Sequence, residues 1–520
     1  MSNLHCASSS VRSEPAATFP SSAVLYWLPL VIAVIVGLAF QGSRGLAETS
    51  ETRYAECARE MVVSGNWLEP MLEFQPHWTK PPVAYWCIAA GMKVFGFNAW
   101  GARVPGALAL LVGAWAVLVA GRRLWGDRTG AIAATAFAVG LPAFGAYTVT
   151  TDIFLGAAET LALAAFVFAA TEPEAGRRRG YTVAMWFAWG AAFLIKGPPA
   201  WLPLLAIIPW NLMQPRARRV PLGYWPGLVC FVVVSLSWYL AMLRRHPDLL
   251  GYYVGTEIVA RVSSDLGHNR AWYKAIEIFG PTMLGSVGAF GIWAAVLAWR
   301  DGWGGAAKWR ALWAARDPRL LLLGWVVLPL VVFCLSRSKL HLYVLPLAAP
   351  VALLAGRVLA SRVGWRAFRN VAIGSVLALV SVKAATALAW SNRRDMARLA
   401  GEVRAELAQM PADVPVVFWD EPNNHGLTFY LQCGAHALPE RVSPDEKSKF
   451  ETWTVAEFAG RLGDGAYDRG ALLVCSARRR EAMDAALPRL PVVGEARGRF
   501  WHLLRLGRLD AAGAPEKNRP

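Results

Sequence analysis

The sequence predicts a polytopic α-helical membrane protein of about eleven spans (eleven to thirteen fit it) followed by a small C-terminal α/β soluble domain. Three observations carry this prediction. The chain of 520 residues is 55% hydrophobic and only 17% charged, where soluble domains hold about 25% charged residues, and its mean hydropathy is +0.34. Apolar runs of about 17–22 residues recur along it, the length that crosses about 30 Å of hydrocarbon. The loops between these runs carry clusters of Arg, as cytoplasmic loops of membrane proteins do.

The elements follow in chain order. Residues 1–22 are polar, rich in Ser and Ala, with Arg12 as the only basic side chain, and read as a cytoplasmic tail. The apolar run from Ala23 is too long for a signal-peptide core and reads as a retained first span. Basic loops then come at Arg122–Arg128, Arg177–Arg179, Arg216–Arg219, Arg300–Arg319 and Arg357–Arg369. The positive-inside rule puts all of them in the cytoplasm of an inner-membrane protein, with two spans between each and the next. The expected spans are 23–41, 102–121, 129–147, 153–170, 181–195, 199–213, 222–242, 281–299, 318–335, 342–357 and 370–390. They read as free of buried charge except at their outer ends. Lys80–Phe97, short and interrupted by Lys93, reads as a helix lying in the outer interface.

This parity makes 42–103 an external loop within a membrane domain of 23–390 and leaves 391–510 as a periplasmic α/β domain, with 511–520 disordered. In that tail, Val414–Trp419, Ala471–Ser476 and Phe500–Leu506 read as strands, and Met396–Gln409, Val455–Leu462 and Arg480–Ala486 as helices. The formal charge of +17 does not point to nucleic acid, because the excess sits in short loops between apolar runs. The seven Cys are scattered without a CxxC pair; Cys433 and Cys475 share the tail and could pair in an oxidising compartment.

The ionisable residues that stand out lie in the external segments. In Ser50–Arg59, SETRYAECAR, helical spacing puts Glu56 and Glu60 on one face and Tyr54, Cys57 and Met61 on another, with Ser50 placed to cap. The plain alternative is an amphipathic juxtamembrane helix with solvated charges; the chemical one is a carboxylate acting as base or metal ligand. Asp152 opens an apolar helix and reads equally as its N-cap. Lys196 ends a span before Gly-Pro-Pro, where a cation is favourable anyway. The turn Ser336–Tyr343, SRSKLHLY, sets Arg337, Lys339 and His341 at alternate positions outside the membrane, where clustered cations are uncommon and a lipid phosphate would be their partner. Carboxylates suit removal of an acceptor proton and cations suit a phosphate leaving group. Transfer from a lipid-linked phosphate needs both.

Taken in order, ETRYAECAREMVVSGNWLEP, KPPVAYW, TTDIFL, FLIKGPP and SRSKLHLYVLPL resemble motifs of the GT-C glycosyltransferases of the aminoarabinose transferase and protein mannosyltransferase kind. The resemblance covers most of residues 40–355. It implies a GT-C-like membrane enzyme with a polyprenyl-phosphate-sugar donor, a lipid or glycan acceptor, catalysis on the periplasmic face and inversion at the anomeric carbon. By position, Glu51 and Asp152 match the acidic residues of the first and second external loops. Lys80 matches a Lys-Pro motif, Lys196 a Lys-Gly-Pro turn, and Lys339 with Tyr343 a Ser-Lys-x-x-x-Tyr turn. The chain departs from the pattern at Ser50, where Asp is common, and at Thr79, where the aminoarabinose transferases commonly have Glu.

The expected site therefore has Glu51 and Asp152 as catalytic carboxylates. Arg53, Lys80, Lys196, Arg337 and Lys339 face the donor phosphate, and Tyr54, Glu56, Glu257, His268, His341 and Tyr343 contact substrate. No cofactor is called for by the spacing; if a divalent metal is used, Glu51 and His341 are its candidate ligands. Two other classes compete with the transferase: a flippase for lipid-linked sugars, and a non-catalytic scaffold whose tail binds a partner.

Overall fold

The computed structural model describes residues 19–251, 255, 273–301, 305–336, 338–389, 392–411, 414–419, 425–432, 435–438, 451–452, 457–458, 469–487 and 490–507. Glu257, His268, Arg337, Cys433, most of Val455–Leu462 and both chain ends lie outside the described residues.

The expected spans are helical. They correspond to α1 (Ser22–Leu38), α4 (Ala99–Trp125), α5 (Asp127–Ala138) with α6 (Leu141–Ala146), α7 (Thr151–Thr171), α8 (Ala175–Lys196), α9 (Leu204–Met213), α10 (Trp225–Arg245), α11 (Lys274–Leu284) with α12 (Gly288–Arg300), α14 (Pro318–Leu335), α15 (Ala348–Ala360) and α16 (Trp365–Ala389). Six are long and apolar enough to cross a membrane unaided: α4, α7, α10, α14, α16, and α15 with the 3-10 turn His341–Leu347 ahead of it. The α11–α12 pair, bent by 95°, makes a seventh if counted as one span. Between α12 and α14 lies α13 (Ala306–Ala315).

Burial separates a centre from a periphery. In their most apolar windows α4 and α7 are 72% and 78% buried, whereas α16 is 11% and α10 and α14 are 22% buried. The faces of α16 and α14 are bare Leu, Val and Ile, among them Leu335 and Leu388. Such surface is stable against lipid and not against water. Close approach at the centre depends on small residues. A Cβ on Gly91 would meet Gly101 O and Pro105 Cγ, each at 2.5 Å, so only Gly lets α3 (Val83–Phe95) lie against the start of α4. Asn98 fixes that start, its side chain accepting from Gly101 N at 2.9 Å.

The segment between α1 and α4 holds α2 (Ser50–Ser64), a hairpin of β1 (Met71–Leu72) and β2 (Gln75–Pro76), and α3. Tryptophan indoles tie it to its surroundings. Trp86 Nε1 donates to Trp67 O at 2.6 Å and Trp238 Nε1, from α10, to Leu68 O at 2.7 Å.

The C-terminal part is an α/β unit. It contains α17 (Met396–Leu407), β3 (Val416–Trp419), α18 (His425–Leu431), β4 (Ala435–Leu438), β5 (Glu451–Thr452), β6 (Ala471–Ser476), α19 (Arg480–Ala486), β7 (Val492–Arg497) and β8 (Trp501–Leu506). The sheet order is β5-β4-β3-β6-β8-β7. β3 runs parallel to β4 and β6, while β8 is antiparallel to β6 and β7. β3 and β6 are buried at every position, which explains why they read as continuous apolar runs rather than alternating ones. Cys475 is buried, and its expected partner Cys433 lies outside the described residues.

Gly91→Val should push α3 away from α4 at a cost of about 1–3 kcal/mol, the usual range for overpacking. The check is a lower melting temperature in detergent, with Gly180→Val, which meets nothing within 4 Å, unchanged.

Candidate active site

The site is assembled from α2, the start of α7, the end of α8 and the turn before α15. Glu51 is its anchor. Residues ahead of α2 fold back so that Arg44 binds Glu51 through two nitrogens at 2.7 and 3.1 Å. Arg103, from α4, binds the same carboxylate at 3.2 and 3.1 Å. The amides of Ala47 (2.7 Å) and Val149 (3.0 Å) complete the set. Burial alone would raise the carboxyl; Arg103 and then Arg44 outweigh it and hold Glu51 down at about 2. A carboxylate with both oxygens occupied and so little basicity is a poor proton acceptor and has no lone pair to offer a metal. Its geometry is that of a structural clamp.

Asp152 is different. The N-cap of α7 is Thr150, not Asp152: Thr150 Oγ1 accepts from Asp152 N at 3.3 Å and donates to Asp152 Oδ2 at 2.9 Å. Asp152 is freed from capping and its Oδ1 accepts from Lys196 Nζ. Lys196 is the last residue of α8, which Gly197 ends with φ +72. Its ammonium lies 4.6 Å from the centre of the Tyr343 ring, with Tyr54 inside its electrostatic reach. Tyr54 in turn carries the Arg53 guanidinium 5.4 Å above its ring and stands 6.0 Å from Tyr85. Among the described residues no carboxylate pairs with Arg53, and its Nε is buried without a hydrogen-bond partner. A half-buried guanidinium so placed is a ready seat for an anion.

The structure thus joins Asp152, Lys196, Tyr343, Tyr54 and Arg53. Ser338 Oγ and Tyr343 OH are 3.1 Å apart, and Thr282 Oγ1 is 3.1 Å from His341 Nδ1. Lys80 stands at the entry to α3 with its ammonium on Thr79 O at 2.7 Å. Lys339 is buried, 2% exposed, and donates to Ser336 O. Glu56 lies elsewhere: its carboxylate is bidentate on Arg59 at 2.8 and 2.6 Å. The idea of solvated charges on α2 does not hold, since Glu51, Glu56, Arg59 and Glu60 are all buried. Nor does Ser50 cap α2; it is the first helical residue, and the position before it, Thr49, makes no capping bond. No group of three His, Cys, Asp or Glu that could hold a metal occurs among the described residues.

Sequence reading missed several partners. Arg44 and Arg103 are cations of the kind that drew attention to Ser336–Tyr343, and the same signal applied to 42–103, the segment expected to be external, would have found them. The spans are also less clean than they read: Lys383 of α16 and Glu159 of α7 are buried within them. Lys383 Nζ donates to Val36 O at 2.6 Å and Ala39 O at 3.3 Å and sits 4.6 Å from the centre of the Tyr147 ring.

Beside the site a cavity of about 490 Å³ opens between α3, α4, α7 and the end of α8. Val83, Gly91, Pro105, Phe154, Ala158 and Ile195 line it, and every other lining residue is apolar as well. Phe154 and Ile195 put its near end beside Asp152 and Lys196 in the chain.

Comparison with known proteins agrees with this architecture. Residues 79–238 match the family described as dolichyl-phosphate-mannose-protein mannosyltransferase. The fold superposes on ArnT from Cupriavidus metallidurans with a TM-score of 0.73 at 21% identity, covering 96% of this chain and 100% of that one. Against the same protein bound to undecaprenyl phosphate the TM-score is 0.72 at 22% identity, over 94% and 99%. Fold and juxtamembrane site together define a helical membrane protein of the GT-C glycosyltransferase superfamily. Within it, the chain belongs to the family of undecaprenyl phosphate-α-4-amino-4-deoxy-L-arabinose arabinosyl transferases. One such transferase from Pseudomonas fluorescens is 30% identical over 426 residues, 76% of this chain and 69% of its own. Another from the same species is 31% identical over 361 residues, 68% of this chain, which spans 63% of that relative's length.

The clamp has a pH signature. A carboxyl held at about 2 in the fold and near 4.3 when unfolded contributes stability above the unfolded value, lost as pH falls toward 2. The full contribution is about 3 kcal/mol. Melting temperatures of the wild type should therefore fall between about pH 4.5 and 2 more steeply than those of Glu51→Gln, which should start lower at neutral pH. Parallel curves would refute the clamp.

Proposed function

We propose that this chain transfers a sugar from a polyprenyl-phosphate donor to a hydroxyl of a lipid or glycan acceptor, on the periplasmic side of the inner membrane. In this reading the chain crosses the membrane eleven times, with the N-terminus in the cytoplasm and the C-terminal α/β unit outside. The observation that carries the reading is the Asp152–Lys196 pair beside an apolar cavity and beside Arg53, which pairs with no carboxylate among the described residues. The relatives' names give a donor built on undecaprenyl phosphate, and the cavity suits an isoprenoid chain whose phosphate stops at the cationic end.

In this reading the donor phosphate draws Lys196 away from Asp152 and is held by Lys196 and Arg53, with Lys80 at the entry to α3. Asp152, no longer paired, accepts the proton of the acceptor hydroxyl. The acceptor oxygen forms its bond to the anomeric carbon as the bond from that carbon to the phosphate oxygen breaks, and polyprenyl phosphate leaves with its new charge on Lys196 and Arg53. A single displacement inverts the anomeric carbon. Tyr343 and Tyr54 form walls for the sugar. Glu51 acts through position: it holds Val149, three residues before Asp152, and the start of α2, which carries Arg53. Ser50, in place of the family's Asp, leaves Asp152 as the reacting carboxylate.

Asp152→Asn should lower transfer by about 10²–10⁴-fold with the protein still folded in the membrane, the span expected for a lost general base. Lys196→Ala should raise KM for the donor as well as lower kcat. The measurement is release of undecaprenyl phosphate from a panel of polyprenyl-phosphate sugars. Wild-type activity in Asp152→Asn would end this assignment, and movement of the donor across a bilayer without release would favour a flippase.

A further inference from the structure

A second cluster of titratable groups lies on α2, away from Asp152. Thr52, Glu56 and Glu60 recur every fourth residue and so share one face, and Glu48 extends the row backward. This face is covered by the β1–β2 hairpin and by α18 of the C-terminal unit. Gly426 N donates to Glu48 Oε2 at 3.0 Å, and Thr52 Oγ1 to Glu48 Oε1 at 2.7 Å. Phe74 N donates to Glu60 Oε2 at 3.0 Å. Glu73, at the hairpin tip with φ +53, reaches His425 Nδ1 at 2.9 Å. Around Gly426 there is no slack: a Cβ there would meet Thr52 Cγ2 at 2.8 Å. The titratable groups facing these carboxyls are Cys57 and Arg59 from α2, Glu73 from the hairpin and His425 from α18, with Arg53 and Tyr85 behind Cys57. Four buried carboxyls therefore crowd round Arg59 and one imidazole.

We propose that the C-terminal unit is a positioning element for the transfer site: His425 and Gly426 seat α18 on α2 by holding Glu73 and Glu48, and negative charge gained on Glu60 and Glu73 loosens that seat, displacing Arg53 and Tyr54. The inference rests on the transferase reading for its consequence but not for the seat itself. Burial, and after it the charge of Glu56, push both Glu60 and Glu73 up to about 8, and burial raises Glu48 as well. Carboxyls that titrate near 8 when seated and near 4.3 when free hold more protons in the seated state. The seat is thus strongest in acid and weakens as the pH climbs from about 4.3 to about 8.

The test uses the full chain in nanodiscs. Amide hydrogen exchange, corrected for its intrinsic pH dependence, is followed across α2 and α18 at about pH 6 and about pH 9. Wild-type α2 should exchange about tenfold faster at the higher pH, and Glu60→Gln with Glu73→Gln, which mimic the protonated acids, should remove that rise. His425→Ala should speed exchange at about pH 6 by about tenfold, the size of one lost hydrogen bond. The donor KM should rise with pH in the wild type and stay level in the double Gln variant. Equal wild-type exchange at both pH values, or a Gln variant that follows the wild type, would overturn the proposal. So would a donor KM that ignores the exchange change. If exchange behaves as expected but no donor ever releases polyprenyl phosphate, the transferase reading falls and the seat stands.

Discussion

The structure outside the lipid depends on one carboxylate. Glu51 is buried among Arg44, Arg103 and the amides of Ala47 and Val149. Desolvating an ion of this kind is costly, and attraction to one partner seldom offsets it. Two guanidiniums and two N–H groups do, and the result is a joint among four segments. One is the turn after α1, another α2, a third α4, and the last the strand-like lead into α7. Beneath them the Tyr147 ring lies 4.8 Å from Arg44 and 5.8 Å from Arg103. The excess cations at this joint are thus spread over a π face as well as over backbone carbonyls. Removing Glu51 would leave several buried positive charges facing one another.

That joint sets the geometry of the Asp152–Lys196 pair. Val149 is pinned, Thr150 caps α7, and Asp152 follows in the first turn with a side chain that capping does not claim. It lies at the positive end of α7. Lys196 comes from the opposite direction, at the end of a helix whose partial negative charge favours an ammonium. Two helices of opposite sense therefore deliver opposite charges to one point, and an incoming phosphate competes with Asp152 for the same cation.

Much of this was legible in the sequence. The spans and the tail strands came through because period, length and loop charge are local properties. Lys196 and Tyr343 were placed at the right turns for the same reason. Side-chain partnership was not legible, because it depends on segments far apart in the chain. Glu51 stood out as an acid, yet whether it faces water or two arginines is decided by Arg103, 52 residues on. Glu56 and Glu60 read as a solvated face because helical spacing gives a shared side and not what covers it. The cover is α18, more than 360 positions later. Lys383 was hidden inside an apolar run, where one cation barely alters the average.

The place of Lys383 bears on how the molecule is made. α1 is the first helix to leave the translocation machinery and α16 the last of the membrane domain. The carbonyls of Val36 and Ala39, at the end of α1, are satisfied by Lys383. Until that lysine enters the bilayer, the opening helix keeps bare acceptors at its outer end. Tyr147, whose hydroxyl lies 3.1 Å from Thr386 Oγ1, waits for the same helix. α16 touches little else and shows most of its surface to lipid. It joins the two ends of the membrane domain, so a chain cut short before Lys383 would lack the contacts that hold the end of α1.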